Sequence, residues 1–117
     1  MALGPQVIPF YTADDELAGQ IEAASRAVAD PLWRMPLWAG YEEALEGDIA
    51  DVKNDPDAWA QAGSVTAALF LQRFAPKGPW AHFDIFAWNP KARPGHAAGA
   101  EAQGIRALYA MLKARYA

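Results

Sequence analysis

The chain contains no cysteine. A disulfide framework and a thiolate metal site are therefore both excluded, and the composition fits a reducing compartment. Basic clusters are also missing: 10 Lys and Arg against 14 Asp and Glu give a formal charge of −4, which argues against nucleic acid as a partner. Arg106, Lys113 and Arg115 are expected near the end of a last helix, where they would complement its dipole. No apolar run approaches the roughly 20 residues that a membrane span needs, so no membrane partner is expected. Pro5 and the short run at residues 7–11 do not make the apolar core of a signal peptide. No internal repeat, low-complexity tract, dinucleotide-binding glycine motif or P-loop is present. A soluble, cytoplasmic protein is the expectation.

What is present suits one small domain. The 117 residues are 53% apolar, too apolar for disorder and enough to bury roughly 65% of the unfolded surface. Three short runs read as strands: residues 7–11, 48–52 and 81–88, with Pro9 placing the first near an edge. Helices alternate with them. Thr12 is the candidate N-cap of the first, followed by Asp14, Asp15 and Glu16. Leu17, Ile21, Ala24 and Val28 then share one face, and Asp30-Pro31 ends the helix. Residues 64–74 are apolar nearly all round and predict a buried helix. Residues 101–116 predict a third, with Ile105, Leu108, Tyr109 and Leu112 as its apolar stripe. A helical turn is expected at residues 41–45. Residues 54–62 and 89–100 read as loops.

This order predicts an α/β fold with a short, mainly parallel sheet and helices packed on it. Three strands make a narrow sheet, because parallel sheets normally have more strands and two covered faces. The sheet is thus expected to belong to something larger or to pair with another copy.

Several side chains carry chemical potential, each with a plainer reading beside it. Asp48, Asp51, Asp55 and Asp57 are clustered acids of the kind that bind hard cations. Their spacing lacks the turn glycine and closing glutamate of an EF-hand, and solvated or capping roles are simpler. His82 and Asp84 sit two apart on a strand and share a face. They could orient a water or a ligand, or form a structural polar pair; no third group completes a triad. His96, in a Pro/Gly loop, is expected to be exposed. Trp33, Trp38, Trp59, Trp80 and Trp88 could line an apolar pocket, but core or interface packing is the commoner role. Two prolines in the run at residues 31–38 rule out a helix there and leave a dense apolar segment in irregular backbone.

The wording of the sequence adds to this. Asp30-Pro31-Leu32-Trp33-Arg34-Met35-Pro36-Leu37-Trp38 resembles a segment of leucyl aminopeptidases. So do Asp48-Ile49-Ala50-Asp51-Val52, Gly63-Ser64-Val65-Thr66-Ala67-Ala68-Leu69-Phe70-Leu71 and Trp80-Ala81-His82-Phe83-Asp84-Ile85. Ala87-Trp88-Asn89-Pro90, Arg93-Pro94-Gly95 and Gly99-Ala100-Glu101-Ala102-Gln103-Gly104 resemble a bacterial branch of that family. The pieces occur in the family's order and cover nearly the whole chain.

The resemblance implies a two-metal exopeptidase, with zinc or manganese, that removes N-terminal residues from peptides. It also implies a cytoplasmic homo-oligomer. The family's metal ligands lie in a lysine-containing stretch and an Asn-Thr-Asp-Ala-Glu-Gly-Arg motif, and neither occurs here. Residues 1–117 are therefore expected to be one partial domain, the C-terminal part of the catalytic domain, with no catalytic or metal-ligating residue of its own. The resemblance points only to Phe86 and Ala87 as substrate-pocket residues. The alternative is a non-enzymatic module that pairs with other aminopeptidase-like subunits.

Overall fold

A computed structural model describes residues 2–45 and 62–117. The expected strand at 48–52, the acids Asp48, Asp51, Asp55 and Asp57, and Trp59 lie outside the described residues. Among those described, β1 (Ile8–Tyr11), α1 (Asp15–Ala27) and β2 (Leu32–Arg34) form a β-α-β unit, with β1 and β2 parallel and Ile8 opposite Leu32. A 3-10 helix (Ala39–Leu45) and α2 (Gly63–Gln72) follow, then the short strands β3 (His82–Phe83), β4 (Trp88–Asn89) and β5 (Gly99–Ala100), and finally α3 (Ile105–Tyr116). The main sheet has the order β2-β1-β3. Its third strand runs antiparallel to β1, and β4 and β5 form a separate antiparallel pair. The α/β class holds.

The differences in detail have local causes. The run at 81–88 is not one strand: the backbone leaves the sheet after Phe83 and passes through Ala87 at φ +58° before β4 begins. Residues 32–34 are strand, not irregular, because Pro31 and Pro36 flank the pairing residues without interrupting them. The N-cap of α1 is Asp14, whose carboxylate accepts from the Leu17 N–H at 2.7 Å. Thr12 lies two residues earlier, its hydroxyl accepting from the Asp14 N–H.

Helix α1 also stops before Asp30-Pro31. Val28 is its C-cap, Ala29 turns left-handed at φ +51°, and the Asp30 N–H donates to the Ser25 carbonyl. This is a Schellman closure with alanine where glycine is usual.

Among the described residues, two clusters make the core. One joins Ile8, Phe10 and Leu32 of the sheet to Leu17, Ala18 and Ile21 of α1 and to Ala107 and Met111 of α3. The other sets Tyr11 against Leu45 and the α2 residues Val65, Ala68 and Leu69. Helix α2 is buried on that side only, with Leu71 and Phe74 exposed. The α3 stripe is likewise shifted: Ala107 and Met111 face α1, while Ile105, Tyr109 and Leu112 are 64%, 66% and 47% exposed.

Candidate functional site

The two residues singled out for a substrate pocket lie in the turn that follows β3. The Asp84 N–H donates to the Pro9 carbonyl at 3.1 Å, so the turn leaves directly from the sheet. Ile85, Phe86 and Trp88 are exposed around it, and Ala87 bends the chain left-handed. Such a conformation strains an alanine and requires support from neighbours.

The support comes from residues far along the chain. The Ala87 N–H donates to the Gln103 Oε1 at 2.8 Å, and the Ala87 carbonyl accepts from the Glu101 N–H at 3.0 Å. The Gln103 Nε2 donates to the Pro5 carbonyl at 2.8 Å, so one buried amide joins the turn to residues 2–6. Beyond the turn, the buried Asn89 donates to the His96 and Ala97 carbonyls. Arg93 donates to Asn89 Oδ1 at 2.9 Å and to Glu101 Oε1 at 3.3 Å. His96 is not freely exposed, as its Nδ1 is in close contact with the same Glu101 oxygen. These groups close the 89–101 loop on itself.

His82 and Asp84 are close to the turn but do different things. The His82 ring stacks on Tyr11 with centroids 6.1 Å apart. The Tyr11 hydroxyl donates to Ser64 Oγ at 2.6 Å, linking β1 to α2. Burial lowers the pKa of His82, partly opposed by the negative charge of Asp84. Burial raises the pKa of Tyr11; the Ser64 hydrogen bond opposes this and Asp84 adds to it. Asp84 itself is exposed. The neighbourhood favours a neutral imidazole packed against a neutral phenol.

A groove of about 570 Å³ lies elsewhere, between α1 and β2, with Glu22, Ser25, Arg26, Pro31 and Trp33 among its walls. None of Phe86, Ala87, His82 or Asp84 lines it. Trp33, Trp38 and Trp88 are exposed rather than packed into the core, and Trp80 is half-buried.

Among the described residues no three His, Cys, Asp or Glu side chains stand together as a bound ion requires. Among the same residues, no helix is long and apolar enough to cross a membrane.

A β-α-β unit, with a third strand antiparallel to β1 and helices packed on the sheet, defines an α/β protein. A family model described as the catalytic domain of the cytosol aminopeptidase family matches residues 1–109, and the chain belongs to that family. A probable cytosol aminopeptidase of Nostoc punctiforme is 42% identical over 110 residues, covering 92% of this chain and 22% of that protein. One from Geobacter sulfurreducens is 42% identical over 116 residues, covering 97% and 23%. The crystal structure of cytosol aminopeptidase from Coxiella burnetii superposes with a TM-score of 0.94 at 43% identity, over 100% of this chain and 26% of that one. The bottromycin maturation enzyme BotP in complex with Mn gives a TM-score of 0.88 at 34% identity, over 97% and 26%. The chain thus spans about a quarter of the length of these relatives.

Sequence reading missed Asp30, Glu101 and Gln103 as organising residues. Their partners are separated from them by gaps of up to 98 positions, and no local spacing reports such contacts.

Proposed function

We propose that residues 1–117 form one partial α/β domain, the C-terminal part of an aminopeptidase catalytic domain. In the complete protein its exposed turn at Phe86 and Ala87 borders the pocket for the substrate's N-terminal side chain. The metals, zinc or manganese, and the groups that act on the peptide bond belong to the remainder of that protein. The chain by itself does not hydrolyse peptides, because positioning without metals lacks the main catalytic contribution. The observation that carries this reading is a family match over residues 1–109 in a chain only about a quarter the length of its relatives. A cytoplasmic homo-oligomer acting on peptides follows from the same resemblance.

The test is the mass of the natural protein, by immunodetection in source cells. A band several times larger than 12.7 kDa is expected. A band at that mass alone would overturn the reading.

A second reading has its own support. Trp33, Trp38, Phe74, Ile105, Tyr109 and Leu112 are exposed apolar residues, and β2 lies at the edge of the sheet. These features suit a non-enzymatic module that pairs with aminopeptidase-like subunits. A strictly monomeric species at all micromolar concentrations would count against it.

A further inference from the structure

The turn at Phe86 and Ala87 leaves the sheet in a left-handed conformation that alanine does not favour, so something must hold it. The side chain that reaches it is Gln103, which is 6% exposed. Its amide is used at both ends: Oε1 accepts from the Ala87 N–H and Nε2 donates to the Pro5 carbonyl, each at 2.8 Å. A buried amide satisfied at both ends fixes its neighbours, since releasing either strands a buried polar group. Gln103 lies just before α3, and its helix is itself anchored: the Asp30 carboxylate accepts from the Gly104 and Ala107 N–H groups, each at 3.1 Å. The clamp therefore has a rigid base.

We propose that Gln103 is a positioning residue for side-chain selection: it fixes the direction of Phe86 through the Ala87 backbone and ties that turn to residues 2–6. This rests on the reading that the turn borders the pocket for the substrate's N-terminal side chain. Gln103 does not touch substrate. It sets where the pocket wall stands, and a wall displaced by about an ångström changes which side chain fits.

The experiment uses the full-length protein that carries this segment, with leucine, phenylalanine and alanine p-nitroanilides. Gln103→Met keeps the volume and removes both hydrogen bonds. It is expected to change the Phe-to-Ala ratio of kcat/KM by roughly tenfold, mostly through KM. Gln103→Glu keeps an acceptor for the Ala87 N–H and is expected to hold the ratio within about threefold of the original. A merely structural role would lower the active fraction for all three substrates alike and leave the ratio unchanged; that result would overturn the inference. If Gln103→Met does not fold, Gln103→Asn decides, because its amide is one methylene too short to reach both partners: a shifted ratio is expected, and an unchanged one overturns the inference. Phe86→Ala, at an exposed position, separates the two levels. A ratio unmoved by Phe86→Ala removes the turn from the pocket and overturns the site reading and the inference together. A ratio moved by Phe86→Ala but not by Gln103→Met overturns the inference alone.

Discussion

Asp30 shows how much one buried side chain organises here. It is 3% exposed, and its two carboxylate oxygens accept from the N–H groups of Gly104 and Ala107. It thereby supplies from elsewhere in the chain the acceptors that the N-terminus of α3 lacks locally. Its neighbour Ser25 donates to the Asp30 carbonyl and accepts from the Leu32 N–H, so the end of α1, the start of β2 and the start of α3 meet there. Asp30→Ala is expected to cost about 1–3 kcal/mol in urea unfolding, with Asp30→Asn costing less. Ala29 offers the opposite case. Its left-handed backbone suits glycine, and Ala29→Gly is expected to raise stability by about 0.5–1 kcal/mol. His82 gives a pH signature. Its pKa lies below the ordinary 6.5 through burial, so between those two values the unfolded chain binds the proton more readily. Stability is expected to fall as pH drops through that window and to be unaffected by this group above it. His82→Gln is expected to flatten that part of the pH profile of thermal unfolding.

At the scale of elements, much of the fold was legible in the sequence. The i, i+4 spacing of Leu17 and Ile21 correctly gave the buried face of α1, and the apolar run at 7–11 gave β1. The third helix was only partly legible. The expected start at residue 101 failed because Glu101 and Gln103 spend their hydrogen bonds on Ala87, and Gly104 turns left-handed before the first helical residue. Arg106 therefore lies in the first turn of α3, not near its end, and donates to the Ala29 carbonyl beyond α1. Of the expected stripe only Leu108 packs against the core; α3 faces α1 with the small Ala107 and the pliable Met111, leaving Ile105, Tyr109 and Leu112 outside. Unfolding of two variants separates these faces. Met111→Ala is expected to cost about 2–3 kcal/mol, whereas Tyr109→Ser should fall within about 0.5 kcal/mol of the original.

For the whole molecule, the alternation of strand and helix made the α/β class legible, and the wording of the segments gave the family. The antiparallel direction of β3 was not legible, and neither was the β4–β5 pair, which begins just after the bend at Ala87. The candidate site was legible only as the names Phe86 and Ala87; what holds them lies at Gln103, Glu101 and Pro5, far away in sequence. Exposed Trp33, Trp38, Phe86 and Trp88 suit a body that meets further protein on several sides. The most direct measurement of the central claim is hydrolysis of leucine p-nitroanilide by the purified 117-residue chain, with zinc and with manganese. No metal-dependent rate above the uncatalysed one is expected. Metal-dependent turnover abolished by Asp51→Asn or Asp84→Asn would contradict it and make this chain an enzyme in its own right.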